Sequence, residues 1–456
     1  MNATEYGLIG HPLGHSLSPF IHESLLAAAG LPGSYRLIDL TPDQLADALP
    51  ALLRRPAGYN CTIPFKEAVI PLLDSLDPSA ALFRSVNTIW ENRGYNTDYQ
   101  AFIDNCPPMG GHRILILGAG GVSRTIAFAA MAAGAEITIL TRRIEQADAL
   151  ASAVWTANPA CRIHTASGLD EWLETNPFDD PGGAPWGLVN GTPLGLWPNV
   201  SGLPVPAELL KSFDWVYDTI YNPPATRLVL AARSRGIPAR GGLGMLFDQA
   251  VAAQRIWNPG ATFPENRLSD IRAELTRRVI AQFPLNILLT GFMGSGKSTV
   301  AAALAERLDL PLIDLDQSIV EAANQTIPEI FAGSGEASFR SLERQKLDEM
   351  LANECSQVIA TGGGALIDPV AEAMVRKFPA IIVYLDTPLD VIRQRVGQGE
   401  GRPLLTGQTD ERLENLYLAR RSRYLSLADL RVQGTGSPDE IAAAIAAGLG
   451  YEGERT

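Results

Sequence analysis

The chain has 456 residues, 46% of them hydrophobic and 19% charged, and a formal net charge of -13. This length holds two or more domains with full cores, and the balance is that of a folded globular protein, not a disordered one. The acidic excess argues against a nucleic-acid partner, which needs a basic face, and no apolar run reaches the roughly 18 residues of a membrane span. The cysteines, Cys61, Cys106, Cys161 and Cys355, form no C-x-x-C pair. That spacing suits free thiols in a reducing compartment. With no basic-then-apolar leader at the N-terminus, the expectation is a cytoplasmic protein with small-molecule partners, no membrane and no nucleic acid.

In chain order, "YGLIG", "YRLIDL" and "SVNTIW" read as strands of a first α/β lobe. "SPFIHESLLAAAG" (18–30) reads as a helix with Ser18 as N-cap, Pro19 at the first helical position and Gly30 closing it. "RILILG" (113–118), "VSRTIAFAAMAAGA" (122–135) and "EITILTRR" (136–143) then form a strand–helix–strand unit with a buried parallel strand first. The run 265–283 has helical spacing and ends before Pro284, and "LNILLTG" (285–291) starts a new strand, followed by a helix from Lys297 to Leu308. The predicted class is α/β throughout: an α/β substrate lobe and a Rossmann-type NADP lobe, followed by a P-loop kinase domain with a central parallel sheet. The expected boundaries are 1–105, completed by 236–283, for the first lobe, 106–235 for the second, and 284–456 for the kinase.

Two glycine-rich turns carry the chemistry. "GAGGVSR" has Gly118 and Gly120 at the first two glycine positions of G-x-G-x-x-G, with Ser123 where the third belongs. Its place between a strand and a helix makes it a dinucleotide turn, with Gly118, Ala119, Gly120, Gly121 and Val122 against the pyrophosphate. An NAD site would put an acidic residue at the end of the next strand; Thr141, Arg142 and Arg143 stand there instead. Cations at that point favour a 2′-phosphate, hence NADP(H). In "GFMGSGKSTV", Gly291, Gly296, Lys297 and Ser298 fill every fixed position of G-x-x-x-x-G-K-[ST]. Gly294, Ser295 and Thr299 complete a backbone cradle for ATP phosphates; Lys297 would reach the β/γ-phosphates and Ser298 would bind Mg²⁺.

Beyond the P-loop, "PLIDLD" reads as a strand whose Asp314 and Asp316 point the same way, or as a helix cap. "SFRSLE" puts Arg340 on a helix, "VIATGGG" runs a strand into three glycines, "GEGRPLL" is a lid-like segment with Arg402, and "ARRSRY" offers Arg420, Arg421 and Arg423. Together these resemble the shikimate kinase family over 285–447. The resemblance implies that Asp316 holds the acceptor hydroxyls and is the candidate base. It also implies that Arg340 and Arg420 pair with a carboxylate, that Gly362, Gly363 and Gly364 line the acceptor site, that Asp314 lies near the Mg²⁺ shell, and that Arg402 closes over ATP.

Upstream, "GHPLGHSLSPFIHESLL", "YNCTIPFKEAVIPLLD", "SVNTIW", "GYNTDYQAF", "NGTPLGL", "YDTIYNPPATRL" and "GGLGMLFDQA" resemble the shikimate dehydrogenase family over about 5–283. This implies Lys66 and Asp98 as the catalytic pair, Ser16 and Ser18 on the substrate carboxylate, and Asn60, Thr62, Asn87 and Gln249 on its ring hydroxyls. Tyr221 would join the substrate site and Gly242 the cofactor site. Tyr95, Tyr99 and Cys61 depart from the common pattern, which leaves open whether shikimate or quinate is used. The rivals are a quinate/shikimate dehydrogenase fused to another small-molecule P-loop kinase, and a non-catalytic sensor of such ligands.

Overall fold

The computed structural model describes residues 4–14, 16–55, 57–175, 183–396 and 410–451. The chain forms two compact units: Met1–Pro193 with Pro204–Pro224 and Arg235–Val279, and Ile280–Thr456 with Leu194–Leu203 and Ala225–Ser234.

The first unit holds two six-stranded sheets. In the N-terminal sheet, β1 (Thr4–Gly10), β2 (Gly33–Asp39), β3 (Tyr59–Cys61), β4 (Ser75–Leu76), β5 (Thr88–Trp90) and β6 (Arg93–Tyr95) run in the order β2-β1-β3-β5-β6-β4. It is mixed, because the short β5–β6 hairpin enters antiparallel to β3. The second sheet contains β7 (Arg113–Leu117), β8 (Glu136–Leu140), β9 (Ile163–Ala166), β10 (Trp186–Asn190), β11 (Trp215–Asp218) and β12 (Ala239–Arg240). Its order, β12-β11-β10-β7-β8-β9, is fully parallel and is the doubly wound dinucleotide-binding arrangement, which switches direction beside β7. Strands covered on both faces need continuous apolar runs. Ile114, Ile116, Ile137, Ile139 and Val189 are accordingly buried against Ile126 and Phe128 of the helix Gly121–Ala132. The helix Leu243–Trp257 then returns to the first sheet, where the Trp257 indole stacks on Tyr6 at 5.0 Å and donates to Ile89 O at 3.1 Å.

The second unit is built on β13 (Asn286–Thr290), β14 (Leu312–Asp314), β15 (Gln357–Ala360), β16 (Ala380–Asp386) and β17 (Leu430–Gln433), all parallel in the order β14-β15-β13-β16-β17. β13 sits centrally, so the loop after it opens where neighbouring strands also end, the position that α/β folds use for ligands. The helix Lys297–Leu308 starts and stops where its sequence predicts.

Two local expectations are corrected. Ser18 is the first helical residue of Ser18–Ala28, with Leu17 as N-cap and no side-chain cap; the Ser18 N–H instead meets Ser16 Oγ at 3.2 Å. The strand β14 stops at Asp314, and Asp316 lies in the first turn of the helix Leu315–Ala323. The two carboxylates therefore straddle a strand end and a helix start, because Asp314 caps that helix through the N–H groups of Asp316 and Gln317.

Candidate active sites

In the first unit, Lys66 lies on the short helix Phe65–Ala68 after β3, and Asp98 in the first turn of the helix Thr97–Asn105. Lys66 Nζ donates to Asp98 Oδ2 at 2.6 Å, with the two side chains 25% and 14% exposed. Backbone pairing fixes both: Val86 N–H binds Lys66 O, and Asn96 caps the Asp98 helix by accepting from Tyr99 N–H. Asn87 and Asn60 belong to a buried hydrogen-bond network that reaches the start of the Asp98 helix. Asn87 Oδ1 accepts from Thr97 N–H at 2.7 Å, while Asn60 Nδ2 donates to Asn87 O and Thr88 Oγ1, each at 3.0 Å. Thr62 is half-buried beside them. Tyr221 is half-buried, and burial pushes its hydroxyl pKa up; the Gln249 amide donates to Leu246 O at 2.8 Å. Cys61 is a core residue, 2% exposed, and burial pushes its thiol pKa up to about 12.

The dinucleotide turn follows β7 directly. Gly118 takes φ 92°, a left-handed conformation that side chains disfavour, and its N–H binds Leu140 O at 2.7 Å at the end of β8. That bond sets Thr141, Arg142 and Arg143 next to the turn, with both arginines exposed. Gly120 caps the helix, Gly121 opens it, and Ala119 and Val122 pack against the core behind. The missing third glycine has a local answer. Ser123 is fully buried, and a Cβ on Gly191 at the end of β10 would lie 2.4 Å from Ser123 Oγ. The close helix-to-sheet approach is thus supplied by a glycine on the sheet side. Gly242 caps the helix Leu243–Trp257, its N–H on Ile220 O at 2.8 Å.

In the second unit a cavity of about 560 Å³ is lined by Gly294, Gly296, Lys297, Ser298, Thr299, Asp314, Asp316, Arg340, Gly362, Gly363, Gly364 and Arg420, among others. Lys297 Nζ holds Gly291 O and Phe292 O at 3.0 and 3.1 Å, and Ser298 Oγ donates to Asp314 Oδ2 at 2.8 Å. Ser295 is buried, its carbonyl accepting from Thr387 Oγ1. A Cβ on Gly362 would lie 2.7 Å from Asp316 Oδ1, and one on Gly364 2.5 Å from Arg340 Nη1, so these glycines let both side chains lie close against the backbone of this cavity wall. Arg402 lies outside the described residues.

Comparison with known proteins decides the assignment. Residues 8–89 match the family "Shikimate dehydrogenase substrate binding domain", and residues 293–449 match "Shikimate kinase". The NADP⁺-linked shikimate dehydrogenase of Moorella thermoacetica is 39% identical over 261 residues, 55% of this chain and 86% of that one. That of Thermococcus kodakarensis is 35% identical over 260 residues, 55% and 90% of the two chains. The chain belongs to the shikimate dehydrogenase family and carries a fused shikimate kinase domain. Among solved structures, a shikimate dehydrogenase in complex with NADP⁺ matches with TM-score 0.52 and 31% identity, over 60% of this chain and 95% of that one. A chorismate mutase/shikimate 5-dehydrogenase fusion from Clostridium acetobutylicum matches with TM-score 0.53 and 28% identity, over 61% and 99%.

Within the shikimate kinase domain, the geometry gives the three neighbouring arginines, of which the family resemblance singles out Arg420, different surroundings. Arg421 is bound twice to buried Asp386, at 3.1 and 2.9 Å, and Arg423 to Glu372 and Ile367 O at 2.6 and 3.1 Å. Arg420 lines the cavity beside the hydroxyl of Tyr424, which itself donates to Gly363 O. Sequence reading missed two charged cavity residues. Glu343, 3% exposed, receives Arg340 Nη1 at 2.7 Å; burial pushes its carboxyl pKa up, against the pull of Arg340. Its signal was present as the last letter of F-R-x-x-E. Arg395 braces the P-loop through Ser295 O at 2.8 Å, and nothing in its spacing marks it.

Among the described residues no group of three or more His, Cys, Asp or Glu side chains could enclose a metal. The Ser298–Asp314 pair is the donor set that Mg²⁺ uses with nucleotides, one hydroxyl and one carboxylate with the remaining positions left to phosphates and water. No helix among those residues is long and apolar enough to cross a membrane.

Proposed function

We propose that the chain catalyses two consecutive reactions: NADPH-dependent reduction of 3-dehydroshikimate to shikimate, and ATP-dependent phosphorylation of shikimate at its 3-hydroxyl. Residues 1–105 with 236–283 would bind the first substrate, 106–235 the cofactor, and 284–456 would be the kinase. The observation that carries the first reaction is the 2.6 Å Lys66–Asp98 pair, assembled from two elements beside the Asn60–Asn87 hydrogen-bond network. When bound, NADPH supplies the hydride to the carbonyl carbon. Lys66 then holds at Nζ the proton that the carbonyl oxygen takes up, and Asp98 fixes the direction of that ammonium. Ser16 and Ser18 would bind the carboxylate, Thr62, Asn60, Asn87, Tyr221 and Gln249 the hydroxyl-bearing face, and Arg142 with Arg143 the 2′-phosphate.

In the kinase, ATP with Mg²⁺ supplies the phosphoryl group and the charge that offsets it. Ser298 and Asp314 would hold the ion, and Gly294–Thr299 with Lys297 the phosphates. Asp316 would orient the acceptor hydroxyl and accept its proton, while Arg340 and Arg420 anchor the carboxylate, a division in which positioning and charge neutralisation do the catalysis. Substrate profiling tests the reading. It requires 3-dehydroshikimate and shikimate to outrun 3-dehydroquinate and quinate with NADP(H), and shikimate to be the phosphoryl acceptor. Faster quinate oxidation with NAD⁺, or a different acceptor, would favour the rival fusion.

A further inference from the structure

Tyr35, at the third position of β2, is 4% exposed and plays no part in the chemistry above. Its ring is stacked on His22 at 4.3 Å with the planes 2° apart. His22 is itself fixed by a one-directional chain of donors: Tyr6 hydroxyl to Asn258 Oδ1, Asn258 Nδ2 to Gln254 Oε1, and Gln254 Nε2 to His22 Nδ1, at 3.0, 2.9 and 3.1 Å. Burial holds the His22 pKa down to about 3, so the stack is neutral at any working pH.

The Tyr35 hydroxyl points the other way, to Asn60 Oδ1 at 2.8 Å. Proton counting fixes its direction. Asn60 Nδ2 spends both hydrogens on Asn87 O and Thr88 Oγ1, leaving its oxygen to accept, and Tyr35 must donate to it. From Asn60 the network continues through Asn87 Oδ1 to Thr97 N–H at 2.7 Å, one residue before Asp98.

We propose that Tyr35 is a positioning residue of the dehydrogenase: its hydroxyl orients the Asn60 amide and, through Asn87 and Thr97, the helix start that presents Asp98 to Lys66. This rests on the dehydrogenase reading above. Tyr35→Phe keeps the ring and its stack but removes the 2.8 Å hydrogen bond from its hydroxyl to buried Asn60 Oδ1, a loss expected to lower the rate about tenfold.

The test is steady-state kinetics of the full chain with Tyr35→Phe, Asn60→Ala and the double variant. The expected result is a drop of about tenfold in kcat/KM for 3-dehydroshikimate, an unchanged KM for NADPH, and no added cost of Tyr35→Phe once Asn60 is alanine. The NADPH value separates positioning from loosening of the fold, which would shift both substrates together. An active parent with an unaffected Tyr35→Phe, additive effects, or equal shifts for both substrates would overturn the proposal. A parent inactive on both 3-dehydroshikimate and shikimate would instead overturn the functional reading beneath it.

Discussion

Replacing Lys66 with methionine removes one ammonium while keeping most of the aliphatic stem. In the parent, that ammonium lies 2.6 Å from Asp98 Oδ2 with its side chain three-quarters buried. Two costs follow. The carbonyl oxygen loses its positioned proton donor, a group typically worth ~10²–10⁴-fold. At 1.36 kcal/mol per tenfold, this is about 2.7–5.4 kcal/mol of barrier. The second cost is structural, since Asp98 keeps a mostly buried carboxylate without its counter-ion, worth about 1–3 kcal/mol of stability. That stability loss is smaller than the roughly 5–15 kcal/mol by which native domains are stable, so the variant remains folded, and the barrier cost makes it slow. The assay follows NADPH consumption at saturating 3-dehydroshikimate, with NADPH affinity measured separately by fluorescence as the check on folding. The account requires kcat to fall at least about a hundredfold while the NADPH affinity holds. A kcat within a few-fold of the parent would remove Lys66 from the proton-donor role.

Three other outcomes are expected. NADPH is preferred over NADH, and Arg142→Ala with Arg143→Ala erases most of that preference without lowering kcat with NADH; equal kcat/KM for both cofactors in the parent would refute the 2′-phosphate assignment. Asp316→Asn abolishes most shikimate phosphorylation while nucleotide binding, read by fluorescence of an ATP analogue, persists; a parental rate would displace Asp316 from the acceptor site. Arg420→Ala raises the KM for shikimate with little loss of stability, whereas Arg421→Ala destabilises the kinase unit, because Asp386 is buried and keeps only Arg431 and Tyr384. Thermal melts and kinetics of the pair distinguish these roles, and a reversed pattern would exchange them.

Much of this architecture is legible in the chain because it depends on local patterns. Strand β13, its glycine turn and the helix Lys297–Leu308 obey rules that operate within one contiguous segment, and the same holds for β7, Gly118 and β8. What is not legible depends on topology. Ser123 reads as a defect in a glycine motif until β10 places Gly191 against it, 68 residues later. Arg420, Arg421 and Arg423 share one helix, and only the ends of the neighbouring strand and helix decide which of them is neutralised by Asp386 or Glu372. Asp314 and Asp316 read as alternate strand positions because the helix that Asp314 caps begins inside the motif. Tyr35 looks like any apolar strand residue; its hydroxyl acquires meaning only when β3 brings Asn60 opposite it.

The central claim, two consecutive reactions on one chain, is tested most directly by incubating the purified full chain with 3-dehydroshikimate, NADPH and ATP·Mg²⁺ and identifying products by mass spectrometry. The account predicts shikimate 3-phosphate when both nucleotides are present, shikimate alone when ATP is omitted or Asp316 is asparagine, and neither when NADPH is omitted. With Lys66→Met, added shikimate restores the phosphate. Failure to form shikimate 3-phosphate with everything present, or its formation from 3-dehydroshikimate without NADPH, would contradict it.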